Sequence, residues 1–249
     1  TAFVASGLTL FSGFGLGTIL MPVFAIFFPL ESAITLTAIV HFLNNIFKLS
    51  LLGKYANKYI VLKFGIPSVI FAFAGAYCLN QLSYLDPITS YRMGEKDYFI
   101  LPIKLSIAIL IFIFSLMELI PSFSKLEFDK KFMLLGGALS GFFGGLSGNQ
   151  GTLRTAFLIK ANLGKETFIT TGVVIACLVD VSRLTVYLKQ FSVGYGDVDS
   201  LLLACAVLSA FAGAFIGNKL LKKITLKFVH GVVGLMLILF SIALGLGLI

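Results

Sequence analysis

Two side chains of opposite charge stand inside one apolar segment in the second half of the chain. Asp180 and Arg183 are spaced i, i+3, and Tyr187 follows one helical turn later. On a helix these side chains share one stripe, and the spacing brings the carboxylate within reach of the guanidinium. Charges inside an apolar segment normally face a bundle interior or a water-filled path. The pair predicts either part of a binding site for a charged ligand or an ion pair that only fixes helix register.

A second polar stripe lies in the first half of the chain. His41, Asn44, Asn45 and Lys48 are spaced i, i+3, i+4 and i+7, so they share one face of an otherwise apolar helix. The imidazole is either a carrier for a coupling proton or a core histidine with its hydrogen bonds satisfied. Lys48 lies about one turn from a basic loop, so snorkelling to the surface is the alternative to a role in binding.

A third group of candidates interrupts the most glycine-rich segment, between Gly144 and Arg154. Irregular backbone at membrane depth survives only where it is buried in protein or lines a cavity. Glycine lets backbone approach a ligand closely, and the N-terminus of a helix that resumes near Thr152 attracts anions. The alternative is close helix packing through small residues, as at Gly137, Gly141 and Gly145. The candidate binding residues in this stretch are Ser147, Gly148, Asn149, Gln150, Gly151, Thr152 and Arg154.

The charges of these three groups do not balance. Lys48, Arg154 and Arg183 are cations, and Asp180 is the one clear anion among the charges that lie away from the loops. An unmatched positive charge in a low-dielectric cavity is stabilised when an anion supplies the missing negative charge. Arginine offers forked donors that suit carboxylate, sulfonate or phosphate oxygens. The balance therefore predicts a small anionic substrate.

A serine hydrolase is the alternative that involves catalysis, because Gly145-Leu146-Ser147-Gly148 matches the Gly-x-Ser-Gly motif of intramembrane proteases. A serine nucleophile needs a base within hydrogen-bond reach. His230 lies near a segment end, and His41 belongs to a different part of the chain. We therefore expect no enzyme. The three cysteines are widely spaced in apolar segments, so neither a metal site nor a cofactor is expected; they are Cys78, Cys177 and Cys205.

Composition places all of these residues in a membrane. The 249 residues are 58% hydrophobic and 12% charged, and the mean hydropathy is +1.02. No alternating strand pattern is evident, so we expect an all-α polytopic protein. The longest polar link, Asp86–Asp97, is too short for a domain. The eight apolar segments are Ala2–Phe28, Ala33–Leu52, Ile60–Leu82, Phe99–Ile120, Phe132–Ile159, Phe168–Leu188, Leu201–Leu221 and Leu226–Ile249.

Internal repetition divides these segments into two sets of four. Gly17-Thr18 matches Gly151-Thr152, and the run from Leu43 to Ser50 matches the run from Leu178 to Thr185. Ala72–Ala76 recurs as Ala210–Ala214. We therefore expect one transmembrane domain over residues 1–249, made of a first repeat, 1–120, and a second, 121–249. Gly15, Gly17 and Thr18 join the candidate site as the first repeat's counterparts of the second glycine-rich break.

The basic loops bear on how the repeats are oriented, since cytoplasmic loops carry excess lysine and arginine. The net charge of +8 is explained by these loops, so no nucleic-acid partner is implied. If segment five turns back at its glycines, the two most basic loops fall on one side and the repeats are inverted, each opening with a broken helix. Eight full crossings with parallel repeats is the alternative. The two loops hold Lys54, Lys58 and Lys63, then Lys219, Lys222, Lys223 and Lys227.

At this point the chain resembles the TauE/SafE family of sulfite and organosulfonate exporters. The resemblance rests on two glycine-rich signatures, Ser12 to Thr18 and Gly141 to Gly148, each opening a half of four segments. Pro22 follows the first signature, as in many members, whereas Ala156 stands at the corresponding place in the second. Asn149-Gln150 also departs from the more usual apolar and glycine residues, which affects the surface that would touch substrate.

The resemblance implies export of sulfite, an organosulfonate or another small organic anion across a bacterial inner membrane. We expect a secondary transporter in which Arg154, Arg183 and Lys48 neutralise the anion, and Asp180 holds Arg183 until substrate arrives. The chain has no ATP-binding loop, so the substrate's own gradient or an ion gradient, of protons or sodium, would drive transport. A passive anion channel is the alternative, and a homodimer is left open.

Overall fold

The computed structural model describes residues 2–3, 16–52, 55–120, 127–194, 200–220 and 226–249. Gly15, Lys54, Lys222 and Lys223, which the sequence analysis singled out, lie outside these residues. The described part is almost entirely helical. Its helices are α1 (Leu16–Phe27), α2 (Leu30–Leu52), α3 (Lys58–Ser83), α4 (Pro102–Leu119), α5 (Met133–Ser147), α6 (Gly151–Leu158), α7 (Lys165–Gly194), α8 (Ser200–Leu220) and α9 (Leu226–Gly245), with short 3-10 turns at Lys130–Phe132 and Ile159–Ala161.

Helix boundaries follow local sequence signals. Asn57 caps α3, its side-chain oxygen accepting from the backbone N–H of Ile60 at 3.1 Å. Pro102 begins α4, where its missing N–H leaves no helical hydrogen bond unmade. Within the described residues, the helices long and apolar enough to cross a membrane are Leu30–Ser50, Lys58–Ser83, Pro102–Leu119 and Lys165–Lys189; shorter apolar helices are Leu16–Phe27, Leu203–Gly213 and Gly231–Gly245.

The link between α3 and α4 departs from the all-helical expectation. Strands β1 (Thr89–Met93) and β2 (Lys96–Ile100) pair antiparallel as a hairpin, with Gly94 in the turn at a φ of 66°. The sequence analysis started segment four at Phe99, which was wrong because Phe99 belongs to β2 and the helix begins at Pro102. Tyr91 stacks on Tyr98 and donates to the carbonyl of Leu246, so the hairpin is fastened to the end of α9.

Helices α3 and α5 are in direct backbone contact along a line that we call the glycine seam. It consists of Gly137, Gly141 and Gly145 on α5, which face the carbonyls of Phe64, Ser68 and Ala72 on α3. A Cβ on any of these glycines would lie 2.1–2.3 Å from the facing oxygen. These three glycines therefore serve close helix packing, which was the alternative interpretation of the sequence. The candidate site lies in the break that follows them.

Contacts also fix the relative directions of the helices. Residues of α3 and α5 meet in ascending order along the glycine seam, so the two helices run parallel. The backbone N–H of Asn57 donates to Thr171 Oγ1 at 2.9 Å, and Gly65 farther along α3 lies against Leu178. Helix α7 therefore runs parallel to α3 as well. The starts of α3, α5 and α7 lie at the same end of the bundle.

Helix α6 returns toward the start of α5. The backbone N–H of Phe128, just before α5, donates to the carbonyl of Ala156 at 3.1 Å. The ring of Phe157 stacks on Phe128 and lies over Gly136, where a Cβ would be 2.3 Å from the ring. The chain from Met133 to Leu158 therefore goes in and comes back, with its turn at Gly148–Gln150.

Candidate functional site

The turn between α5 and α6 is the centre of the site. Gly148 ends α5 with a φ of 80°, a left-handed conformation that glycine adopts at little cost. Asn149 and Gln150 follow outside regular helix and are both buried. Ser140 donates its hydroxyl to the carbonyl of Gln150 at 3.0 Å, which ties the turn back to α5. Non-helical backbone of this kind is tolerated inside a membrane protein where protein or a cavity surrounds it.

Helix α7 presents its polar stripe to this turn. Arg183 donates from Nε and Nη2 to Asp180 Oδ1, at 3.0 and 2.7 Å, so the contact expected from the i, i+3 spacing is present. The remaining nitrogen, Arg183 Nη1, is buried without a hydrogen-bond partner. It faces Gly148, where a Cβ would lie 2.7 Å from it. One turn on, Tyr187 donates to the carbonyl of Gly145, which is among the last carbonyls of α5 and lacks a helical partner.

Helix α2 brings its own stripe against the same carboxylate. His41 Nδ1 lies 2.6 Å from Asp180 Oδ2, and Asn45 donates to that oxygen at 3.4 Å. The contact between His41 and Asp180 could not be predicted from the sequence, because the two residues lie in different segments and periodicity within a segment does not show which segments meet. Asp180 is thus held on one oxygen by Arg183 and on the other by α2. Asn44 is fully buried on the same helix.

Two further cations have no such partner. Arg154 on α6 donates from Nη1 to Gln150 Oε1 at 3.4 Å and packs over Gly172 of α7. Lys48, on the last turns of α2, is only 8% exposed and lies within electrostatic range of Arg154. Neither cation makes an ion pair with any carboxylate among the described residues. The described side chains around the turn therefore carry more positive than negative charge.

The first repeat also reaches the turn. Thr18 on α1 donates its hydroxyl to Asn149 Oδ1 at 3.0 Å. A Cβ on Gly17 would lie 3.9 Å from the carbonyl of Gly148 and 3.4 Å from Thr37 of α2. The start of α1 and the turn after α5 are therefore neighbours. Gly15, the remaining candidate of the first repeat, lies outside the described residues.

Several expected site residues have other local roles. Ser147 donates its hydroxyl to the carbonyl of Phe143 at 3.0 Å, and no histidine among the described side chains bonds to it. Thr152, expected to orient the anion, instead donates to Glu118 on α4. Gly151 is buried and begins α6.

Two residues near the site were not among the candidate site residues from the sequence. Glu118 stands two residues from the end of its apolar segment, where its charge resembles that of a loop residue. Cys177 is buried one turn before Asp180 and lies within electrostatic range of Lys48 and Arg154. Cys177 stands in an apolar stretch of α7, so its residue type alone does not indicate a site. Its i, i+3 spacing to Asp180 was the signal in the sequence that places both on one face of the helix.

These features define a multi-pass helical membrane protein with a polar, cationic site enclosed by its helices. The family model described as Sulfite exporter TauE/SafE matches residues 1–244. The chain belongs to that family, whose members are exporter-type transporters of sulfite and organosulfonates, so the protein is a membrane transporter and not an enzyme. No curated protein and no solved structure matches the chain significantly.

Proposed function

We propose that this protein is a secondary transporter that exports sulfite or a small organosulfonate, and that it binds the anion at the turn between α5 and α6. The observation that carries the proposal is a pair of cations, buried Lys48 and half-buried Arg154, that form no ion pair with a carboxylate among the described residues. Unpaired charge in a low-dielectric interior is unfavourable. A bound anion removes that cost, so the site favours ligands of negative charge.

Two unused donors support the same position for the anion. Arg183 Nη1 and Gln150 Nε2 are buried without hydrogen-bond partners. Arg183 Nη1 faces Gly148, and the Gln150 side chain packs beside Gly144 through its carbon atoms. A buried donor left unpaired costs about 1–3 kcal/mol. Sulfite and sulfonates offer three oxygens, enough to accept from both donors and from one of the cations.

Inverted repeats are part of the proposal, and two sets of contacts support them. Gly75 on α3 faces the carbonyl of Phe142, and Gly213 on α8 faces the carbonyl of Phe3. Both glycines belong to the recurring Ala-Phe-Ala-Gly-Ala sequence, and each faces a carbonyl in the first segment of the other repeat. Asn45 and its counterpart Asp180 meet each other, as equivalent residues do when they lie near a symmetry axis. Transporters with inverted repeats bind substrate at the repeat interface.

The bacterial inner membrane is the proposed location, with the basic end of the bundle in the cytoplasm. Lys58 and Lys165 lie at the starts of α3 and α7, and the lysines beside α5 and α6 lie at the same end because α6 returns to it. Those lysines are Lys130, Lys131 and Lys160.

A binding screen tests the proposed substrate class. Purified protein is heated with sulfite, methanesulfonate, isethionate, sulfate or acetate, and ligand-induced stabilisation is recorded, since a ligand that binds the folded state raises the unfolding temperature. We expect sulfite or a sulfonate to stabilise the wild type and to have little effect on Arg154→Gln. Lys104→Gln is the control, because Lys104 bonds to the Ile249 carbonyl away from the site. Stabilisation of Arg154→Gln equal to that of the wild type would place the anion elsewhere.

Counterflow separates a carrier from the alternative of a passive channel. Proteoliposomes loaded with unlabelled substrate are diluted into a trace of labelled substrate. A carrier exchanges the two, so label accumulates transiently inside. An open pore lets the gradient dissipate without accumulation, and that result would support the channel instead.

A further inference from the structure

A half-buried carboxyl group outside the cation cluster remains without a role. Glu118 lies on the last turn of α4 and accepts a hydrogen bond on Oε1 from Thr152 Oγ1. Its second oxygen, Oε2, is buried and has no hydrogen-bond partner. The bond to Thr152 uses only Oε1. The unbonded Oε2 is therefore the oxygen that can carry a proton.

No counter-ion for Glu118 is found among the described side chains of the elements packed around it. On α6 the ionisable side chain is Arg154, which bonds to Gln150, and α5 contains none. On α4 itself Lys104 bonds at the far end of the helix. The ionisable groups of α3 make no ion pair with Glu118; they are Lys58, Tyr59, Lys63, Tyr77 and Cys78. The remaining ionisable groups nearby lie outside the described part; they are Lys125, in the link after α4, and the side chains of Lys227 and His230 on α9.

The surroundings of Glu118 differ from those of Asp180. Asp180 is held ionised by Arg183 and His41, so its negative charge is needed for the site to stay together. Glu118 receives one neutral donor, and a lone buried carboxylate is unfavourable in an apolar interior. The neutral acid is therefore the form that these surroundings favour.

Glu118 is also mechanically connected to the anion site. Thr152 lies on the first turn of α6, two residues from Gln150 and two from Arg154. Gain or loss of a proton changes how strongly Glu118 accepts from Thr152, because hydrogen bonds to an ionised carboxylate are about twice as strong as neutral ones. A change of that bond alters the position of the short helix that carries Arg154.

We propose that Glu118 is the proton-coupling residue, which takes a proton from water at one end of the bundle, returns it at the other, and acts on the anion site through Thr152 and α6. The inference rests on the proposed transport of a small anion. It assigns coupling to α4, whereas His41, the candidate carrier from the sequence, bonds to Asp180, which in turn holds Arg183. Glu118 does not touch the anion in this scheme and is a positioning residue.

Transport driven by a pH gradient tests the proposal. The probe is isethionate, which stays a monoanion across the working pH range, with sulfite as the second probe. We expect Glu118→Gln to lose accumulation driven by the gradient while keeping thermal stabilisation by the probe and exchange at equal pH. Glu127→Gln is the matched control, because Glu127 pairs with Lys160 at the surface. Accumulation at the wild-type level in Glu118→Gln would overturn the inference. So would a loss of gradient-driven accumulation in His230→Gln but not in Glu118→Gln.

Infrared difference spectroscopy gives a readout that does not depend on transport. Reconstituted wild-type protein should show a protonated carboxylic acid band that disappears on raising the pH and is missing in Glu118→Gln. Absence of such a band in the wild type would contradict the proposal even if both probes are transported. If neither probe binds the wild type, the proposed function fails, while the band still decides whether Glu118 carries a proton.

Discussion

Asp180 is the residue on which the geometry of the site depends, because it joins two helices through opposite oxygens. Arg183 of the same helix binds Oδ1, and His41 of α2 binds Oδ2. Removing one partner of a buried pair leaves an uncompensated charge and costs about 3–5 kcal/mol, whereas removing both is far milder. The pairing of Asp180 with both partners, and not the carboxylate alone, holds α2 and α7 in register.

We therefore expect Asp180→Asn to destabilise the protein more than the double variant Asp180→Asn, Arg183→Met. The measurement is thermal unfolding in detergent for both single variants and the double variant, which yields their interaction free energy. Asp97→Asn is the control, since Asp97 forms an exposed pair with Arg92 at 3.9 Å that contributes little. A loss in the double variant equal to the sum of the two single losses would mean that Asp180 acts independently of Arg183.

Arg154 allows a prediction about affinity. Its counterpart in the first repeat is Leu20, so one repeat supplies more of the positive charge. Hydrogen bonds to charged groups contribute about 1.5–3 kcal/mol, so Arg154→Ala should weaken binding of the stabilising anion by roughly 10- to 150-fold. Calorimetric titration of the anion into both proteins measures the change. Unaltered affinity in Arg154→Ala would remove this side chain from the site.

At this scale the sequence predicted the pair on α7 and the excess of cations, because both follow from spacing within a segment and from residue type. It could not predict that His41 meets Asp180, which depends on how α2 docks against α7. Glu118 was missed for a related reason. Its partner Thr152 lies on a returning half-helix, and only the three-dimensional path of that helix brings the two together.

At the scale of elements, the glycine seam explains why α5 is so rich in glycine. Ser68 adds a side-chain bond to the seam, donating to the carbonyls of Phe64 and Gly137 at 2.8 and 2.9 Å. Small residues at such a contact let two backbones approach closely, which is the main source of helix association in lipid.

Gly141→Ala should therefore lower the unfolding temperature, because its Cβ would lie 2.2 Å from Ser68 O. Overpacking of this kind typically costs about 1–3 kcal/mol. Gly164→Ala is the matched control, since no atom lies within 4 Å of the added Cβ. Thermal unfolding in the same detergent compares the two. A similar effect of both substitutions would mean that the α3–α5 contact is looser than described.

Most element boundaries were within a few residues of those expected, because apolar length and capping residues determine where membrane helices start and stop. The hairpin between α3 and α4 was not expected. Its polar strands are short, and their exposed faces carry no clear alternation that would separate them from an irregular loop.

At the scale of the whole molecule, the common end of α3, α5 and α7 leads to a prediction about topology. Single cysteines at Lys58 and Lys222, in a background with the native cysteines replaced by serine, should be shielded from an impermeant thiol reagent in intact cells. A cysteine at Glu95, beside the hairpin turn, should be labelled because it lies at the opposite end. Labelling at Lys222 but not at Lys58 would restore eight full crossings with parallel repeats.

The glycine seam has a mechanical consequence for any cycle in which the site opens alternately to the two sides of the membrane. Turning α5 about its axis by one residue would replace the three glycines with Ala138, Phe142 and Leu146, whose side chains are too large for backbone contact with the facing carbonyls. We therefore expect α3 and α5 to move as one rigid body. Rearrangement is then expected in helices without such a seam, with α3 and α5 as the frame against which the short helix α6 shifts.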